Sequence, residues 1–201
     1  MDRPRPPAHL FDRLLQPFEP DQACEQWIRQ TFINPDGPLF NPDHEHLQSA
    51  VIGVLWTIEQ QTRHMRSVVG QAEITQFQGN KWSRGRQEQQ MVAWFGMVPD
   101  FVLTFDALFC EQCDDATWCA LVEHELYHCG QQTDGLGTPK FRKDGTPAFG
   151  IRGHDVEEFV GVVRRYGPTG RVAEMVRAAQ GEPEVKRVHI EGACGTCRLN
   201  F

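Results

Sequence analysis

The nine residues Leu121-Val122-Glu123-His124-Glu125-Leu126-Tyr127-His128-Cys129 constrain this chain more than any other stretch. Leu121, Val122, Leu126 and Cys129 recur at helical spacing, so the segment reads as an amphipathic helix with a core-facing stripe. His124 and His128 are four residues apart and project from one face of such a helix, about a turn from each other. Two imidazole nitrogens placed in this way can reach one zinc ion, and Glu125 beside them can take a proton from a metal-activated water. The plainer alternative is a helix that carries two histidines by coincidence. The chemical reading needs a core beneath the helix and a third ligand from elsewhere in the chain.

The chain can supply the core. Its 201 residues, 40% hydrophobic and 23% charged, suffice for one globular domain with a small appendage. A net charge of -7 argues against a broad nucleic-acid or anionic-membrane footprint. The local basic group Arg63, Arg66, Lys81, Arg84 and Arg86 is interleaved with glutamines and reads as a solvated face. No run of apolar residues is long enough to predict a membrane span. Met-Asp-Arg-Pro-Arg-Pro-Pro is not followed by the apolar segment of a secretory signal, so the expected compartment is the cytoplasm. The seven cysteines are then read as reduced thiols or metal ligands.

Three segments are predicted: an N-terminal arm and short helix over 1–40, a main domain over 41–180, and a tail over 181–201. Asp21 can cap a helix reaching Phe32, with Ala23, Trp27 and Ile28 inward. His44 and His46 sit in a Pro/Asp-rich segment, where a surface or substrate-side role is preferred to metal ligation. Ala50–Trp56 and Phe101–Phe105 are apolar, strand-like runs, and 68–74 is a weaker strand. Between them a helix is expected over Arg84–Phe95, with Met91, Trp94 and Phe95 inward. Asp114 or Asp115 can cap the motif helix, predicted to run to about Gln131. A glycine-rich loop follows to Gly153, with a hairpin signal at Lys143-Asp144-Gly145, and is expected to overhang the metal. Helices are predicted over His154–Tyr166, with Val156, Phe159, Val160 and Val163 inward, and over Thr169–Gln180, then an extended Val185–Ile190. The fold class that results is α+β: a small sheet packed against the motif helix and a following helix.

A catalytic zinc takes three protein ligands and keeps one position open. The long form of the motif would need glycine at 131 and histidine at 134, where this chain has Gln131 and Asp134, the latter a remote oxygen-ligand candidate. The third ligand is instead expected at His154, in Gly153-His154-Asp155-Val156-Glu157-Glu158-Phe159, with Glu158 or Glu157 as the alternative. The two glutamates and Asp155 have a second reading, as groups that orient a histidine ligand through its other nitrogen.

Phe101–Phe105, His124-Glu125-Leu126-Tyr127-His128, the 153–159 segment and Arg164-Arg165-Tyr166-Gly167 together resemble the putative phage metallopeptidase family, over roughly residues 45–167. More distantly they resemble the SprT-like minimal zincins. The resemblance implies a strand–helix–helix core, zinc on His124, His128 and His154, and Glu125 as general base. A protein or peptide substrate follows from it, and the host-cell cytoplasm if the chain is phage-encoded.

Hydrolysis of this type needs an oxyanion stabiliser, for which Tyr166 is preferred over Arg152 and Tyr127. Cys110-Glu111-Gln112-Cys113 and Cys194-Gly195-Thr196-Cys197 have half-site spacing for a second, structural zinc, although reduced free thiols are the simpler reading. Two rivals to a zinc peptidase stand: a metal-stabilised binding or inhibitory module without turnover, and a zinc hydrolase of another amide, such as one in peptidoglycan.

Overall fold

Two apolar runs far apart in the sequence become neighbouring parallel strands, and most of the fold follows from that pairing. The computed structural model describes residues 3–12, 15–63, 66–156 and 160–182. In chain order its elements are β1 (Phe18–Pro20), α1 (Gln22–Ile28), β2 (Ile52–Thr57), β3 (Gln61–Arg63), β4 (Arg66–Val68), β5 (Gly70–Ile74), α2 (Lys81–Phe95), β6 (Phe101–Asp106), α3 (Ala107–Gln112), α4 (Asp115–His128), β7 (Cys129–Gln131), β8 (Phe149–Ile151), α5 (Val160–Tyr166) and α6 (Gly170–Gln180). Two 3-10 stretches, Ala8–Asp12 and Pro42–Ser49, and a π turn at Arg29–Ile33 complete the set. The described residues divide into two compact units, one ending at Arg152 and one beginning at Gly153.

The main sheet of the first unit has the order β1-β2-β6-β5. Its central pair, β2 and β6, is parallel, and the outer strands β1 and β5 are antiparallel to their neighbours. A parallel pair needs a crossover, and α2 lies within the connection between these two strands. Central strands covered on both faces can be apolar throughout, and every residue of β2 is buried. Ile52, Val54 and Trp56 turn to the main core with Phe101, Leu103 and Phe105 of β6. The other face meets α2, where the Phe95 ring lies so close to Gly53 that a Cβ there would come within 2.8 Å of it. The expected α+β class holds, as a small mixed sheet packed against helices.

The core is built around indoles. Trp118 of α4 stacks on Trp56 with centroids 5.3 Å apart and meets Phe105 edge-on at 4.9 Å, and Trp27 of α1 lies 6.2 Å away. Asp21 caps α1 by accepting from the Cys24 N–H at 2.9 Å, and its other carboxylate oxygen accepts from the Trp56 indole at 2.8 Å. One aspartate therefore starts a helix and ties it to the sheet.

Several expectations need correction. The motif helix stops at His128, three residues early, because Cys129–Gln131 pairs with Phe149–Ile151 as β7 and β8. Glycine at 130 is a poor helix residue, and ladder bonds take the backbone there instead. The glycine-rich segment is a folded β excursion rather than an open loop. It carries bridges at Thr133↔Pro139 and Phe141↔Pro147, and Gly145 adopts a left-handed φ of 85° in the expected hairpin turn. α2 starts at Lys81, since Asn80 accepts from the N–H groups of Trp82 and Ser83, and it buries no residue fully.

The N-terminal arm is tied into the fold from Arg3 onward. Arg3 is buried, with Nε 2.6 Å from Asp115 Oδ1, and it donates to the carbonyls of Cys110 and Cys113. In the second unit, His154–Val156 is not helical and the described helix is α5. Asp155 accepts from Arg171 at 2.9 Å. Val160, expected inward, is 72% exposed, and α5 and α6 contain no buried residue. Glycine at 167, with φ 80°, ends α5 as expected. The expected helical residues 157–159 and the extended 185–190 segment lie outside the described residues.

Candidate metal and active site

α4 carries His124, Glu125 and His128 and owes its placement to both ends. Asp114 caps it by accepting from the Thr117 N–H at 2.7 Å. Trp118, Val122 and Leu126 are wholly buried and anchor one face in the core. That leaves His124 exposed and His128 half-exposed on the opposite side.

The two imidazoles converge. His124 Nε2 and His128 Nε2 are 3.3 Å apart, with ring centroids 4.9 Å apart. The other nitrogen of His128, Nδ1, lies 2.7 Å from the Arg152 carbonyl oxygen. A carbonyl can only accept, so Nδ1 carries the proton and Nε2 keeps its lone pair. This is the support that fixes the tautomer of a metal-binding histidine. In return, the Arg152 N–H donates to the His128 carbonyl at 2.9 Å, extending the β7–β8 ladder by one residue.

His124 and His128 are two donors that could hold a metal ion, and His154, the expected third, is an exposed residue at the start of the second unit. The chain itself keeps His154 within reach, because only Gly153 separates it from Arg152, whose carbonyl accepts from His128. Glu157 and Glu158, the alternative third ligands, lie outside the described residues.

Glu125 is 3% exposed, an unusual place for a carboxylate. Burial raises its pKa above the ordinary glutamate value, while the His128 charge and a hydrogen bond from the Ala72 N–H pull it back. The carboxylate therefore lies against β5 rather than in open solvent. Nothing in the Glu125 side of the motif points to β5 as its partner. The available signal was glycine at 70 inside the predicted strand 68–74, a common mark of close backbone approach.

A polar brace fixes the second turn of the motif. Asn41 Nδ2 donates both to Glu123 Oε1 at 2.8 Å and to the Tyr127 hydroxyl at 2.9 Å. Tyr127 in turn donates to Asp43 Oδ2 at 3.0 Å, and the Arg152 guanidinium lies 5.6 Å from the centre of its ring. His46 Nε2 donates to the Cys129 carbonyl at 2.7 Å. His44 is not at the surface, as the sequence suggested, but wholly buried edge-on against the Tyr127 ring at 4.7 Å. Burial lowers its pKa to about 4, and it is neutral at ordinary pH.

The remaining sequence candidates are dispersed. Tyr166, in the second unit, is 71% exposed, with the Arg165 guanidinium 5.3 Å from its ring centre. Cys110 is buried in the core and Cys113 is half-buried, donating to the Cys110 carbonyl at 3.5 Å. Burial pushes both thiols above their ordinary pKa. Cys194 and Cys197 lie outside the described residues. Asp134 is spent on its own turn, accepting from the N–H groups of Leu136 and Thr138. Among the described residues no helix is long and apolar enough to cross a membrane.

A helix-borne histidine pair beside a buried glutamate, backed by a small mixed sheet, is an arrangement that could hold a metal ion. The comparison with known families is more specific: the family described as putative phage metallopeptidase matches residues 25–180, and the chain belongs to it. That membership points to a metal-dependent peptidase and so to protein or peptide substrates. No curated protein and no solved structure matches the chain.

Proposed function

We propose that this protein is a zinc-dependent peptidase of the zincin type, with His124, His128 and His154 as metal ligands and Glu125 as general base. The observation that carries the reading is the 3.3 Å separation of His124 Nε2 and His128 Nε2. Two nitrogens bound tetrahedrally to one zinc at about 2.0–2.1 Å would lie roughly 3.3–3.4 Å apart, so the pair fits that ion without rearrangement. The protonated Nδ1 of His128 supports the same reading, since it leaves Nε2 as the donor atom.

Zinc, when bound, supplies the Lewis acid that makes water a nucleophile near neutral pH and polarises the scissile carbonyl. Glu125 takes the proton from the attacking water and passes it to the leaving amine. Burial raises the Glu125 pKa, which makes its carboxylate a stronger base toward the attacking water. The Tyr127 hydroxyl is committed to Asp43, so Tyr166 and Arg152 are the remaining candidates for the oxyanion. A structural zinc on Cys110, Cys113, Cys194 and Cys197 would add a second ion. The proposed compartment is the cytoplasm, that of the host if the chain is phage-encoded.

The test is cleavage of a mixed peptide library by the wild-type protein and by Glu125→Gln, each with its zinc content measured. The expected result is turnover by wild type alone, with equal zinc in both. Full zinc without cleavage in the wild type would instead favour a metal-stabilised binding module.

A further inference from the structure

We propose that Gly70 and the Ala72 N–H form a cradle on β5 that aims the Glu125 carboxylate, which makes Gly70 a positioning residue of the site. The catalytic consequence rests on the peptidase reading above; the cradle rests on packing alone.

Strand alternation places both parts of the cradle on the same edge. The Val69 carbonyl accepts from Asp106 and the Thr75 N–H donates to Asp100. In an antiparallel ladder residues 71 and 73 therefore also turn their backbone groups to β6, while Gly70 and Ala72 turn theirs to the open edge of the sheet. There the Ala72 N–H meets Glu125. The contact brings a buried carboxylate to an edge donor that β6 does not use.

Gly70 makes room for it. A Cβ at residue 70 would lie 2.8 Å from Glu125 Oε1 and 3.3 Å from its carboxyl carbon, and 2.9 Å from Leu121 Cδ1. Gly70 is not among the glycines with positive φ, so the backbone would accept alanine and the requirement is for space alone. A methyl group there displaces the carboxylate from the Ala72 N–H. General-base catalysis depends on such placement, and a displacement on the order of 1 Å can cost about 100-fold in rate.

A double-mutant cycle tests the cradle without reference to catalysis. Urea unfolding is measured for wild type, Gly70→Ala, Glu125→Ala and the double variant, all as zinc-loaded full chains. Gly70→Ala is expected to lower the midpoint clearly in the wild-type background and much less in the Glu125→Ala background, because the obstructing carboxylate is gone. The Leu121 contact is present in both backgrounds and cancels. Equal losses in the two backgrounds would overturn the cradle.

Kinetics with an internally quenched peptide that the wild type cleaves tests the consequence. Gly70→Ala is expected to lower kcat roughly 10- to 100-fold, with KM within about 2-fold and zinc content unchanged. Gly85→Ala, at a glycine with nothing near its absent Cβ, controls for glycine replacement and should leave kcat unaltered. Should Gly70→Ala fold poorly, Ala72→Pro removes the edge donor while sparing the β6 ladder, and the same fall in kcat is expected. Unchanged kcat in these variants would contradict the positioning role. A wild type that cleaves no peptide would count against the peptidase reading, and the unfolding cycle would still decide the cradle.

Discussion

His128 Nδ1 lies 2.7 Å from the carbonyl oxygen of Arg152, and the Arg152 N–H returns a bond of 2.9 Å to the His128 carbonyl. The last residue of the motif helix is thus fixed by backbone on both its side chain and its main chain. This support does not require the arginine side chain. Arg152→Ala is expected to keep zinc affinity within about 2-fold, whereas Arg152→Pro, which deletes the N–H and disturbs the pair, should weaken it about 10- to 100-fold. Competition with a zinc chelator of known affinity measures both.

Buried His44 gives the fold a pH dependence of predictable sign. Its pKa falls from the ordinary 6.5 to about 4 in the folded protein. Between these values the unfolded chain binds the proton and the folded one does not, so stability falls as the pH drops through this window. The loss is on the order of 3 kcal/mol. Its burial is severe, since neither ring nitrogen has a hydrogen-bond partner and the nearest carboxylate, on Glu123, is 3.9 Å away. Urea midpoints at pH 7, 5 and 4 should fall less steeply for His44→Phe than for wild type.

The Tyr127 hydroxyl holds the brace together, accepting from Asn41 and donating to Asp43. Tyr127→Phe is expected to cost about 1 kcal/mol of stability, the usual net worth of such bonds. Its kcat should stay within about 3-fold of wild type, against the roughly 100-fold or greater fall that loss of an oxyanion donor would bring. Denaturation and steady-state kinetics on the same preparation separate the two roles.

Arg3 pairs with Asp115 at the start of α4, and its side chain is wholly buried against a partner only 8% exposed. Removing one member of such a pair leaves an uncompensated charge, and Arg3→Met is expected to cost about 3–5 kcal/mol. Replacing both, as Arg3→Met with Asp115→Leu, should recover at least half of the loss. Urea unfolding of the single and double variants checks this.

The motif helix, its Asp114 cap and the two central strands were legible because each announces itself locally: a helical stripe, a side-chain cap, an unbroken apolar run. The α+β class followed from them. Where the helix ends was not legible, since it is set by the pairing of Cys129 with Ile151, a contact across the whole glycine-rich segment. The burial of Arg3 and His44 was hidden for the same reason: the partners that make it tolerable, Asp115 for one and Tyr127 for the other, are about eighty residues or more away in the chain. Of the site, the residue types that carry the chemistry could be read directly. The groups that hold them, the Arg152 carbonyl and the Ala72 N–H, are backbone atoms, and a sequence of side chains does not display them.

The central claim is that His124 and His128 hold a metal ion in common. Elemental analysis of the purified full chain alongside His128→Ala tests it most directly. About one zinc per chain is expected in the wild type, or about two if the four cysteines 110, 113, 194 and 197 form a site of their own, with about one ion fewer in His128→Ala at an intact fold. Zinc content that is the same in both proteins would contradict the account.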